Sequence, residues 1–369
     1  MSETSVSGPG QLGPGARALL ARAAGADARA RVALYAAIDD VFLPSDARLD
    51  ERTRAALTGL IESLVAAIEG DVREHAAGLL VGRGESETAE ALGGAGRRVA
   101  DRLSDAGLLR DPELIGECLA RVRCELIAAA LPAEAPTHPE SVSLLVRLSG
   151  SPDRVVAASA SAVLSGESHR RAIGEGGIAS GSGLPAAVHQ RLAWQVAAAL
   201  RERTATGSPA ALDRALIEAT LRNIAANDGH DRLELSAMRL ARAIDAQADE
   251  LPALIEESLR DRRVTLLVAF LAHALGIDYD DSRAMVLDPA GERLWLVLHA
   301  LEMSRTMIAR IGYRLCEADG RRDVDAFADA LDIVASIDPA TARQAIAQIR
   351  LHPQYRAALR ALDRGGGRR

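Results

Sequence analysis

The sequence predicts an all-α fold of irregular HEAT-like, solenoid-like helical hairpins, and three observations carry that expectation. Hydrophobic residues make up 48% of the chain but aromatics only 2%, so Leu, Ala, Val and Ile must fill the interior in place of rings. About a fifth of the 369 residues are alanine, the strongest intrinsic helix former. No stretch alternates apolar and polar residues between turn dipeptides as a half-buried strand would, whereas apolar stripes at helical spacing recur along the chain.

Taken in order, Met1 to Pro14 is rich in Ser, Gly and Pro and reads as a disordered tail, lacking the basic and apolar regions of a signal or transit peptide. From Asp50 to Glu69, Leu57, Leu60, Ile61, Leu64, Val65 and Ile68 form one apolar stripe, the signature of an amphipathic helix. Comparable stripes run through Pro112 to Leu131, Pro209 to Ala226, Arg232 to Ala246, Glu292 to Met303 and Val324 to Ala335. Four helix starts pair a capping side chain with proline in the first position: Asp111-Pro112, Ser151-Pro152, Ser208-Pro209 and Asp338-Pro339. The cap accepts from free amides, and proline lacks the N–H that would go unpaired there.

Three aliphatic stretches are interrupted by a short turn carrying Asp and restart near a Val: around Asp71, Asp153 and Asp261. Each predicts a hairpin in which Asp caps the second helix while Val and Ala pack on the first. Their registers differ, so no regular repeat length is expected. Gly174 to Gly183 holds five glycines and reads as a flexible linker. It divides the chain into an N-terminal helical domain, 15–173, and a C-terminal one, 184–363, followed by a loose tail, 364–369.

All 44 basic residues are arginine, and the net charge is −7. Scattered arginine with no lysine is what a GC-rich genome produces, and the acidic balance disfavours nucleic acid. Three cysteines make no disulfide framework. The longest apolar run, Val264 to Ile277, is too short to span a membrane, so a cytoplasmic protein is expected. The histidines show no zinc-site spacing, the glycine pairs Gly94/Gly96 and Gly174/Gly176 follow no strand as a dinucleotide site would require, and no Ser-His-Asp or Cys-His set is apparent. Neither catalysis, cofactor nor metal is therefore expected. The candidate binding residues are two basic clusters, Arg97-Arg98 and His169-Arg170-Arg171, because paired guanidiniums can hold an anion or an acidic helix. Trp194 lies off the main stripe of its helix, where a second buried face is expected.

The run Arg31 to Leu80, with Asp71-Val72-Arg73-Glu74-His75-Ala76, resembles an uncharacterised domain family found mainly in alphaproteobacteria, as do Val188 to Leu200 and Leu259 to Leu287. The resemblance implies a cytoplasmic, HEAT-like helical protein and supplies no catalytic or ligand residues. The first functional expectation is a non-enzymatic scaffold or adaptor that binds another protein. The alternative is a ligand-responsive module that binds a small anion or nucleotide through its arginine clusters. Nucleic-acid binding ranks third.

Overall fold

The computed structural model describes residues 49–369 apart from 95, 133–141, 175–181, 205–206, 228, 230–231, 353, 357, 359–361 and 363–369. Both expected tails, most of the glycine-rich stretch, His138 and His230 lie outside the described residues. Residues Arg52–Arg369 form one compact unit. Among the described residues the fold is all-α, with no strand.

The first part of the chain forms α1 (Glu51–Gly82), α2 (Ser86–Gly93), α3 (Val99–Asp105), α4 (Pro112–Ala130), α5 (Leu144–Ser149) and α6 (Arg154–Gly174). After the glycine-rich stretch come α7 (Ala186–Arg203), α8 (Pro209–Ala226), α9 (Leu233–Ile244), α10 (Leu251–Arg260) and α11 (Val264–Leu275). The chain continues with α12 (Tyr279–Leu287), α13 (Glu292–Ala300), α14 (Arg305–Ala318), α15 (Val324–Ser336) and α16 (Pro339–Ile346).

Successive helices pack as hairpins: α5 on α6, α7 on α8, α10 on α11, α11 on α12, and α14 on α15. Contacts also run across the glycine-rich stretch, α3 against α7 and α6 against α9, while α4 lies against α11, α12 and α14. The centre is α11. Val264, Leu266 to Ala272 and Leu275 are all buried, and a helix apolar on every side belongs inside a core. A glycine at 166 lets α6 approach α9 closely, since a Cβ there would stand 3.3 Å from Leu233.

The expected hairpin at Asp71 is corrected by the structure: α1 runs unbroken through it for 32 residues. Leu64, Val65, Ile68, Val72, Ala76 and Leu80 keep one buried stripe in helical register across the supposed turn, and no proline is present to end the helix. The glycine at the supposed turn, Gly70, costs only about 1 kcal/mol against alanine. Asp71 caps nothing; its carboxylate accepts from Asn223 Nδ2 of α8 at 2.7 Å. Asp153 does cap, its Oδ1 accepting from the amides of Val155 and Val156 at the head of α6. Asp261 lies in the expected turn but caps a different helix, accepting from the amide of Leu144 at the start of α5.

Of the four cap-plus-proline starts, Asp111, Ser208 and Asp338 cap α4, α8 and α16. Ser151 instead accepts from the amide of Asp153, and α6 starts two residues later because Asp153 is the better placed cap. Trp194 is half-buried on α7. No described helix is long and apolar enough to cross a membrane.

Candidate functional site: a cleft above a buried arginine–glutamate network

Where α4, α6, α9 and α12 meet, the interior is charged. Glu117, Arg121, Glu234 and Arg283 are each less than 10% exposed. Glu117 of α4 takes Arg283 of α12 in a two-point pair, at 2.7 and 3.3 Å, and Arg232 at 3.1 Å. Glu234 at the head of α9 accepts from Arg170 of α6 at 2.5 Å. Its second oxygen lies 3.6 Å from Arg232 Nε, too far for a hydrogen bond, and both atoms are buried without one. Arg121 reaches Glu125 at 3.2 Å and the Ser182 carbonyl at 3.4 Å.

The electrostatics follow from desolvation set against pairing. Burial alone would push the Glu234 carboxyl up, but the Arg170 and Arg232 guanidiniums outweigh it and hold it down to about 2. Burial likewise works against Arg170 and Arg283, yet Glu234 and Glu117 respectively raise both above the ordinary arginine value. For Arg121, burial and then the neighbouring Arg170 charge prevail and lower it. Burial pushes the Cys118 and Cys124 thiols up to about 12, so neither is a reactive thiolate.

One edge of this network opens into a cleft of about 570 Å³ between α4, the end of α6 and the turn from α10 to α11. Its charged lining is uneven. Arg170 is paired with Glu234, Glu167 with Arg263, Glu125 with Arg121, and Asp261 with the Leu144 amide. Arg171 and Arg262 line the same cleft with no carboxylate partner among the described residues. Arg263 Nε is buried and also lacks an acceptor. Arg262 is held at φ +59°, a left-handed conformation that a non-glycine residue adopts at a cost.

The sequence-predicted clusters therefore part company. Arg170 and Arg171 line this cleft together, while His169 beside them is half-buried on α6. Arg97 lines a separate, smaller cleft of about 240 Å³ with Arg102 and Arg203. Arg97 is paired with Asp105, and Arg98 with Glu62 at 2.9 Å and Asp101 at 3.8 Å. The Glu62 hydrogen bond raises the Arg98 pKa. The structure brings Arg170 and Arg171 to Arg262 and Arg263, and not to Arg97 and Arg98. Sequence reasoning missed Arg262 and Arg263, which belonged to a turn read only for its Asp. It also missed Glu117 and Arg121, although both fall on the stripe of Leu114, Cys118 and Val122, where a charge has to be paired.

A second polar chain was also invisible in the sequence. Ser182 Oγ lies 2.8 Å from His189 Nδ1, His189 Nε2 lies 2.9 Å from Asn223 Oδ1, and Asn223 Nδ2 donates to Asp71. Asp71 as an acceptor fixes the Asn223 amide; the imidazole then donates from Nε2 and accepts the serine proton at Nδ1. Ser182 is 3% exposed and His189 1%, so this serine–histidine pair is sealed from any substrate. Burial lowers the His189 pKa against the opposing Asn223 hydrogen bond.

No protein-family model, curated protein or solved structure matches this chain. The fold and cleft thus define it only as an all-α protein with an arginine-lined recess above a buried ion network.

Proposed function

We propose that the chain is a non-catalytic, cytoplasmic binding protein whose cleft takes a small anionic ligand. The observation that carries this reading is the charge imbalance of the lining: every carboxylate there has a partner, and among the described residues the guanidiniums of Arg171 and Arg262 have no carboxylate partner. Guanidiniums are strong, directional donors to carboxylate and phosphate, and the recess has the size of an ordinary small-molecule site. The non-catalytic part is supported by the burial of the Ser182–His189 pair and by thiols raised far from reactivity. The adaptor reading has a narrower basis, the exposed Ile217 and Leu221 one turn apart on α8.

The test is thermal unfolding of the full chain with sulfate, phosphate or citrate against chloride at matched ionic strength. A ligand that binds only the folded state raises the midpoint by mass action. We expect a multivalent anion to stabilise the wild type and the Arg171→Gln/Arg262→Gln double variant to lose that shift. Equal shifts in chloride, or a shift the double variant keeps, would overturn the proposal.

A further inference from the structure

Resting on the anion reading, we infer that the cleft recognises a small organic phosphomonoester, its dianion held by Arg171 and Arg262 and its carbon body laid on Ala128, Ala129 and Leu233. Charge argues for the headgroup. Two guanidiniums without a carboxylate partner among the described residues line the recess, and the start of α11, Val264 and Thr265, also lines it with no N-cap side-chain hydrogen bond. Such a helix end contributes roughly half a positive charge. A phosphomonoester carries about −1.5 to −2 at neutral pH, which matches that sum better than a single carboxylate does. Donors also come from three separate places, the end of α6, the turn before α11 and α11 itself, which suits the three terminal oxygens of a phosphate.

Size and lining argue for the body. A recess of about 570 Å³ is far larger than an inorganic phosphate requires. One side of it is apolar, with Ala129 exposed and Ala128 half-buried on α4. Apolar walls carry the bulk of a small ligand while a few polar groups orient it. Arg263 also lines the recess, paired with Glu167 and with its buried Nε lacking an acceptor.

The experiment is calorimetric titration of the full chain with phenyl phosphate, benzoate and inorganic phosphate at one ionic strength. Phenyl phosphate is expected to bind at least about tenfold more tightly than either of the others, a difference of about 1.4 kcal/mol. Benzoate binding as well as phenyl phosphate would overturn the phosphate assignment while leaving an anion cleft in place. Inorganic phosphate matching phenyl phosphate would overturn the organic body, and heat from none of the three would overturn both readings. Two variants guard against a trivial loss of fold. Arg262→Gly relaxes the left-handed backbone as it removes the guanidinium, so it should fold at least as well and bind at least about tenfold more weakly. Ala129→Asp, on an exposed position in the last turn of α4, should place a carboxylate against the ligand and abolish binding, while lowering the unfolding midpoint only slightly through helix propensity and the helix dipole. Full phenyl phosphate affinity in either folded variant would also overturn the assignment.

Discussion

The two interiors of this molecule are held together by different physics. Around α11 the core is dry and aliphatic, with Leu266, Leu267, Val268 and Leu271 at most 1% exposed. On one flank of it, between α4, α6, α9 and α12, the interior is a chain of guanidiniums and carboxylates. The first tolerates no lost volume, because each buried side chain is surrounded by others of fitted shape. The second tolerates no lost partner, because the desolvated charge left behind has nowhere to go. What matters in the dry core is size; in the charged seam it is completeness.

That contrast can be broken directly. Phe270→Ala in the dry core should cost about 3–5 kcal/mol by chemical unfolding, and Glu234→Ala in the seam about the same, the latter by leaving Arg170 unpaired. Replacing both partners of a buried ion pair together separates the two cases, because no uncompensated charge is then left behind. A loss under about 1 kcal/mol for Glu234→Ala would mean that water already reaches the seam and that its burial is incomplete.

Acid should act next, and on the seam first. Glu234 has a folded-state pKa lowered to about 2, so its contribution is complete above the ordinary glutamate range. It is lost as pH falls from that range through about 2, since the unfolded chain takes up the proton first. His189, lowered by burial, acts in the same direction at higher pH: stability falls as pH drops below the ordinary histidine range. Unfolding midpoints against pH should therefore decline in two steps, and His189→Gln should remove the upper one. Survival of the upper step in that variant would assign it elsewhere.

Smaller effects follow. Asp153→Ala removes the cap on the Val155 and Val156 amides and should cost about 1 kcal/mol, whereas Ser151→Ala should cost less because Ser151 caps no helix. The smallest change is expected from Arg170→Met with Glu234→Leu. Exchanging a buried ion pair for apolar groups of similar volume is often neutral or stabilising, so a loss far below that of Glu234→Ala would show that the seam serves positioning more than stability.

The helices were legible in the sequence because periodic stripes and caps are local signals. Pro112 to Leu131, Pro209 to Ala226 and Val324 to Ala335 stand within a residue of α4, α8 and α15. Asp71 was misread because Gly-Asp resembles a turn when viewed alone, while the stripe running through it decides for helix. The site was half legible. Arg170 and Arg171 stood out as a pair, but Arg262 and Arg263 join them only through the packing of α6 beside the α10–α11 turn. Arg232 and Arg283 are more than fifty residues apart in sequence and share Glu117, a relation no local pattern encodes. Conversely, Arg97 and Arg98 looked equally basic, and α1 and α3 neutralise them.

The Ser182–His189–Asn223–Asp71 chain has a spectroscopic consequence. An imidazole with a fixed donor partner on Nδ1 and a fixed acceptor partner on Nε2 holds a single tautomer, so at neutral pH His189 should give one protonated and one bare ring-nitrogen resonance, with its Nε2 proton exchanging slowly with solvent. Because Asp71 sits on α1, His189 on α7 and Asn223 on α8, that one proton signal reads out whether α1, α7 and α8 are docked together, with no label attached to the protein.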